Sequence, residues 1–287
     1  MRTQRPRRSA LYVPGANERA LAKAAGLAAD ALILDLEDAV APAAKVAARR
    51  NVLSALAAGG RKAERVVRVN GASTPWGADD LAALARAPVD AICLPKAETP
   101  ETVRGAAEAL QRAGAPDSLE LWAMIETPRG VLAAREIALA TPRLSCLVAG
   151  TSDLLKELHA RPSPSRAEVV TSLSLILLAS RAAGLAALDG VHLDLNDANG
   201  FEASCRQGRD LGFDGKTLIH PSQLDAANRI FAPTAEELEV ARRVAAAHAE
   251  AVTAGLGVTV VDGRLVEALH VAEAERILAL AKAIASR

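Results

Sequence analysis

Eight short apolar runs, each followed by a longer stretch of helical period, constrain this chain more than any other feature. They are SALYV (9–13), ALILD (31–35), RVVRVN (65–70), DAICL (90–94), ELWAMI (120–125), LSCLVAG (144–150), AALDGV (186–191) and GKTLI (215–219). Most are apolar throughout rather than alternating, which is the mark of strands covered on both faces, as in a parallel sheet flanked by helices. Between them lie segments such as ERALAKAAG, with Asn17 placed to cap it, and PAAKVAARRNVLSALAAG, where Pro42 suits a first helical turn. A length of 287 residues fits one barrel or two smaller domains. The eightfold alternation selects an α/β fold, a closed (β/α)8 barrel of the TIM type.

The chain continues past the eighth run. TAEELEVARRVAAAHAEAVTAG reads as a long helix capped by Thr234, GVTVVDG as a short strand or hairpin arm, and RLVEALHVAEAERILALAKAIASR as a last helix. The expected division is therefore a barrel over 1–232 and a C-terminal helical arm or lid over 233–287, packed on its own barrel or on a neighbouring subunit. RPSPSR (161–166) is the one Pro/Ser-rich loop, and no internal repeat beyond the β/α alternation is visible.

Acidic and basic residues balance at 34 each, so no net field attracts nucleic acid or an anionic membrane. Two Trp, one Tyr and three Phe leave no stacking platform for single strands. The basic start, MRTQRPRRS, lacks the apolar stretch of a secretory signal, and no run is long enough to span a bilayer. The expectation is a cytosolic protein with neither nucleic-acid nor membrane partners. Cys93, Cys146 and Cys205 are odd in number, widely spaced and without a CxxC pair. They read as buried, inert thiols rather than a disulfide or zinc framework.

Barrels of this kind carry their chemistry at the carboxyl ends of the strands. The strand starts look unremarkable, whereas the endings hold polar residues: Asp35 followed by Glu37 and Asp38 of LEDAV, Arg68 and Asn70, Lys96, Glu126, Asp153, Asp189 with His192, and His220. LEDAV is expected to point its acids into a shared, solvated mouth. Glu126 and Asp153 end neighbouring strands as single acids, a hard-oxygen pair that suits Mg²⁺. Two structural alternatives stand beside that reading: Glu126 caps the helix near Pro128, and Asp153 pairs with a local Lys or Arg. Arg68 offers a guanidinium fork to a carboxylate substrate, or forms a strand-end salt bridge to the LEDAV acids. His192 and His220 read as supporting donors, and the remaining His as ordinary loop or helix residues. Arg19 and Lys23 share a face of the first helix, either a solvated surface or a grip for phosphates. No GxSxG elbow supports a serine nucleophile, and GFDGK (212–216) is not a Walker loop.

RSALYVPGANERALAKAA, DALILDLEDAV, VVRVN, ICLPKAE, MIETPRGV, AGTSDL, ALDGVHLD and GFDGKTLIHPSQ follow one another in an order and spacing that resembles the citrate lyase beta-subunit family, which includes malyl-CoA and citramalyl-CoA lyases. The resemblance covers about residues 8 to 285. It implies a (β/α)8 barrel assembling as a homotrimer or hexamer, or beside other citrate lyase subunits. The implied reaction is Mg²⁺-dependent cleavage or condensation of a carbon–carbon bond between an acyl-CoA and a 2-oxo acid. Carried over by position, it implies that Glu126 and Asp153 bind the metal, that Arg68 grips the 2-oxo acid carboxylate, and that the Gly150-Thr151 backbone adds donors to the same oxygens. Glu37 and Lys96 are implied to order and serve the catalytic centre. Arg19 and Lys23 resemble the residues that meet the coenzyme A phosphates. The tail departs from the pattern. Where the family has a motif resembling GxMIDxPH, whose Asp reaches a neighbouring subunit's site, this chain has GRLVEALH, so that Glu267 stands in the acid's place and Asp262 five residues before it. Two other functions fit the same residues: a 2-oxo-acid aldolase that uses no coenzyme A, and a barrel that binds metal and ligand without turnover.

Overall fold

A computed structural model of the chain describes residues 5–59, 63–253, 255 and 258–286. The protein forms two compact units, one spanning Arg7–Asn228 and the other built on Arg229–Arg287.

In the first unit the eight expected runs become eight strands: β1 (Ser9–Pro14), β2 (Ala31–Asp35), β3 (Glu64–Arg68), β4 (Ala91–Leu94), β5 (Glu120–Ile125), β6 (Leu144–Ala149), β7 (Ala186–Asp189) and β8 (Gly215–Leu218). They pair in parallel in chain order, and β8 closes onto β1 through Ser9 opposite Lys216. Alternate residues of β1 to β7 fill the interior: Ala10, Ala31, Ile33, Val66, Ala91, Cys93, Trp122, Met124, Cys146, Val148 and Leu188 form one buried cluster. Small side chains on β1, β2 and β4 leave room for Trp122 on β5. The intervening residues, among them Leu32, Leu34, Val67, Ile92 and Leu147, are equally buried and by strand alternation face the surrounding helices. Covering both faces in this way is what makes the runs apolar throughout. The three cysteines are free and buried, and burial pushes the Cys93 and Cys146 thiols up.

The strand starts correct the sequence reading. Arg7 bonds Glu64 (2.7 Å) and Glu120 (3.0 Å) while its guanidinium lies 4.9 Å from the Trp122 ring centroid, and Arg8 bonds Asp30 at 2.8 Å. A charged plate thus closes the amino end of the barrel. Its partners lie far apart in sequence and meet only through the stagger of the strands, so no local pattern exposes them.

In the second unit a helix (Ala235–Thr253) opens on a reciprocal box: the Glu237 N–H donates to Thr234 Oγ1 (3.1 Å) and the Thr234 N–H to Glu237 Oε2 (2.7 Å). A hairpin of β9 (Thr259–Val261) and β10 (Arg264–Val266) follows. It turns at Asp262 and Gly263, which both have positive φ, as a tight primed turn requires. The last helix is Ala268–Ala285. Ala241, Val244, Val266, Val271 and Ala274 form the unit's core. No helix among the described residues is long and apolar enough to cross a membrane.

Candidate active site at the carboxyl end of the barrel

The period of two that fills the interior also aims the polar residues. Ala31 and Ile33 lead to Asp35, Val66 to Arg68, and Trp122 and Met124 to Glu126, so each strand's inward face ends in a charged group at the same mouth. Arg68 is a two-pronged partner of Asp35: Nε lies 2.7 Å from Oδ1 and Nη2 2.7 Å from Oδ2, with the guanidinium 4.9 Å from the Tyr12 ring centroid. Asp35 also accepts the N–H groups of Glu37 (2.9 Å) and Ala39 (3.1 Å). This corrects the expectation that the acids ending the second strand share a solvated mouth. Asp35 is fully buried, made tolerable by four hydrogen bonds, whereas Asp38 is exposed. Lys45 was not foreseen either. Its ammonium donates to the carbonyls of Leu36 (2.9 Å) and Glu37 (2.7 Å) and fastens the LEDAV turn.

Glu37 lies between these extremes. Its Oε2 is 3.0 Å from Arg68 Nη1, close enough for an ion pair but without hydrogen-bond alignment, and that buried oxygen has no hydrogen-bond partner. Burial, opposed by the Arg68 charge, pushes its carboxyl up to about 7.

Lys96 ties the remaining acids together. Its backbone N–H donates to Glu126 Oε1 (2.7 Å), and its Nζ lies 3.2 Å from Asp153 Oδ2 and 3.6 Å from Glu37 Oε1. Glu126 is buried, and that burial pushes its carboxyl up to about 7 against the pull of the Lys96 N–H. Both structural alternatives for the acid pair are replaced. The helix Pro128–Leu132 is capped by Thr127, whose Oγ1 accepts from the Gly130 N–H (3.0 Å), and not by Glu126. Asp153 has a cation, but it comes from the loop after β4 and not from a local residue. Arg68 does form the strand-end bridge, which leaves Nη1 as the nitrogen not engaged by Asp35.

Gly150 stands directly against Glu126: a Cβ there would lie 2.6 Å from Glu126 Oε2. Its own N–H donates to the Ile125 carbonyl (3.0 Å). The expectation that the Gly150 N–H serves substrate is thereby corrected, and donors at this helix start begin with Thr151.

Other expected residues lie elsewhere. Arg19 and Lys23 are exposed on the helix Glu18–Ala24, which follows the carboxyl end of β1 and is capped by Asn17. Asp189 does not face the mouth. It is buried against the outer helices, bonded by Arg166 (2.9 Å) and Lys216 (2.6 Å), because strand parity turns it outward. His220 caps a short turn through the Ser222 N–H (3.2 Å). Glu267 caps the last helix of its own unit. Its carbonyl accepts the His270 N–H (2.9 Å), and its own N–H donates to His270 Nδ1 (3.0 Å).

The donor set fits Mg²⁺. Asp35 is neutralised by Arg68, so Glu37 and Asp153 share the Lys96 ammonium while Glu126 holds the Lys96 N–H, and all three are hard oxygen donors. Among the described residues no three His, Cys, Asp or Glu side chains could hold an ion by themselves. An ion here would take two carboxylates and complete its shell with water or substrate, which is the habit of Mg²⁺.

A profile of the HpcH/HpaI aldolase/citrate lyase family matches residues 8–221. The chain is 52% identical over 282 residues to a (3S)-malyl-CoA thioesterase of Cereibacter sphaeroides, covering 98% of this chain and 96% of the relative. It is 39% identical over 287 residues to the citrate lyase subunit beta of Escherichia coli K12, covering 98% and 95%. The crystal structure of CitE from Mycobacterium tuberculosis in complex with magnesium, acetoacetate and coenzyme A superposes with a TM-score of 0.76 at 35% identity, over 96% of this chain and 97% of that one. With fold, strand-end motifs and full-length identity in agreement, the chain belongs to the HpcH/HpaI aldolase/citrate lyase family.

Proposed function

We propose that this protein acts on a malyl-type 3-hydroxyacyl-CoA thioester with Mg²⁺ held by Glu126 and Asp153, and that it hydrolyses the thioester to the free acid and coenzyme A. The observation that carries the metal-site reading is the unbroken network Asp35–Arg68–Glu37–Lys96, with Lys96 reaching both Glu126 and Asp153 at one end of the barrel. Mg²⁺ bound there would draw negative charge onto the substrate oxygens it holds. Arg68 offers Nη1 to a substrate carboxylate while Asp35 fixes the plane of its guanidinium. Glu37, with a carboxyl near neutrality and an oxygen free of hydrogen bonds, takes a proton as general base. In hydrolysis that proton comes from the attacking water, and the thiolate of coenzyme A leaves. Arg19 and Lys23 would meet the coenzyme A phosphates.

Carbon–carbon cleavage to an acyl-CoA and a 2-oxo acid, the reaction expected from the sequence motifs, is the second reading. There Glu37 would take the substrate hydroxyl proton instead. That path also needs an acid to protonate the carbanion carbon, and Glu267, the residue in the expected place, is one methylene longer than the Asp of the family motif. The 52% identity to a thioesterase, against 39% to a citrate lyase subunit, likewise favours hydrolysis. Incubation with (3S)-malyl-CoA and Mg²⁺, with products separated by chromatography, tests both readings. Free coenzyme A with malate supports hydrolysis, and acetyl-CoA with glyoxylate supports cleavage. Either activity surviving Glu126→Gln refutes the metal site.

A further inference from the structure

We infer that Lys96 is a tethered cation that competes with the divalent ion for Asp153, so that metal entry moves its ammonium off that carboxylate. The inference rests on the metal reading above and concerns what governs the affinity of that site.

The root of Lys96 is fixed. Its φ is +45°, a left-handed conformation that a side chain bearing a Cβ adopts only under constraint. The constraints are visible on both sides: the Lys96 N–H is held by Glu126 Oε1, and the next N–H, that of Ala97, donates to the Met124 carbonyl (3.0 Å). Gly130 lies so close beneath that a Cβ on it would be 2.7 Å from the Ala97 carbonyl oxygen. The strained backbone directs the side chain across the mouth to Asp153 and Glu37. Its outer part is not fixed. The side chain is 47% exposed and ends in an ammonium 3.2 Å from one acid and 3.6 Å from the other.

An ordinary surface lysine on one acid would contribute little. Here one residue touches all three uncompensated carboxylates, one through its backbone and two through its ammonium. With all three ionised, three negative charges and one positive leave a deficit of two, which a divalent ion cancels. That ion needs the Asp153 carboxylate that the ammonium now holds, and a cation a few ångströms from Mg²⁺ lowers its affinity by roughly tenfold even at the dielectric of water. Lysine suits this role better than arginine, because a compact ammonium on a flexible stem moves aside without reorienting a planar fork.

The test is Mg²⁺ titration of the full chain by calorimetry without substrate, using wild type, Lys96→Met and Asp153→Asn. The expected result is affinity about tenfold tighter in Lys96→Met and strongly reduced in Asp153→Asn. Tighter binding is not what a folding defect produces, since a damaged site loses affinity. Equal or weaker binding by Lys96→Met overturns the inference. A companion measurement uses the wild type alone: with isotopically labelled lysine, saturating Mg²⁺ shifts the Lys96 ammonium resonance and leaves that of Lys23 in place. An unmoved Lys96 signal in the metal-loaded protein overturns the inference even if Lys96→Met fails to fold. If the wild type binds Mg²⁺ and Asp153→Asn abolishes it while Lys96→Met is unchanged, only the competition fails. If the wild type binds none, the metal reading fails with it.

Discussion

Lowering the pH from 8 to 6 should weaken Mg²⁺ binding by about tenfold, because the carboxyl of Glu126 must ionise before it can ligate. Glu126 is 3% exposed, and burial lifts its carboxyl from the ordinary 4.5 to about 7, with the Lys96 N–H and the charges of Lys96 and Arg68 opposing the lift. At pH 8 the carboxylate form dominates and affinity is flat. At pH 6 roughly a tenth of the molecules carry it, and each further unit down costs about another factor of ten. A carboxyl titrating at the ordinary value would leave affinity constant across the whole interval. The stability linkage has the opposite sense. A carboxyl raised in the folded state favours folding most below the unfolded value of 4.5, and that contribution is lost as pH rises through about 7. Bound Mg²⁺ restores stability above that range. Glu37 is lifted to about 7 as well and repels Glu126, so the two titrate as a coupled pair, and the step belongs to the pair. Calorimetry at pH 6, 7 and 8 in buffers of differing ionisation enthalpy reads both quantities. Expected are a tenfold weaker constant at pH 6 and release of about one proton per Mg²⁺, falling toward none at pH 8. Equal affinity at pH 6 and 8 without proton release refutes the reasoning.

Two substitutions probe the scaffold of the same site. Gly150→Ala meets no backbone penalty, since φ is −93°, but its Cβ would collide with Glu126, so a stability loss of about 1–3 kcal/mol is expected together with loss of the Mg²⁺-induced rise in melting temperature. A variant whose melting temperature still rises with Mg²⁺ as in wild type contradicts the packing assigned to Glu126. Asp35→Asn leaves the Arg68 guanidinium buried opposite a neutral amide, and urea denaturation should show a loss of about 3–5 kcal/mol. A loss below about 1 kcal/mol would mean that the pair is solvated in solution.

The eight strands were legible in the sequence because their signal is local. Apolar runs bounded by helical stretches need no partner to be recognised, and ELWAMI and ALILD match their strands to the residue. The residues of the mouth were legible for a related reason, since strand parity carries Asp35, Arg68 and Glu126 inward once Ile33, Val66 and Met124 are known to be interior. What stayed hidden was pairing. That Arg68 closes on Asp35, that Lys96 reaches Asp153 across 57 positions, and that Arg7 meets Glu64 all depend on the stagger of the barrel. Asp189 shows the same limit from the other side. It ends a strand as the site acids do, but a parity shift of one residue sends it to Lys216 and Arg166 outside the barrel.

The three acids of DLEDAV (35–40) are graded by burial, and the gradation divides their work. Asp35, fully buried, is saturated by Arg68 and two backbone N–H groups, so it is structural and contributes no net charge to the mouth. Asp38 is exposed, with Arg68 Nη1 at 3.3 Å, where solvent screens it. Glu37, between them, keeps a buried oxygen without a hydrogen bond and a carboxyl near neutrality, the combination that a proton acceptor at physiological pH needs. Had Asp35 not neutralised Arg68, the guanidinium would hold Glu37 ionised and bonded, and the base would be lost. The buried pair therefore does more than tolerate a charge in the core. By occupying Nε and Nη2 it leaves Glu37 only a misaligned contact with Nη1, and it leaves Glu37, Glu126 and Asp153 facing Lys96, a group that once fully ionised is two charges short of neutral in a chain whose total charge is zero.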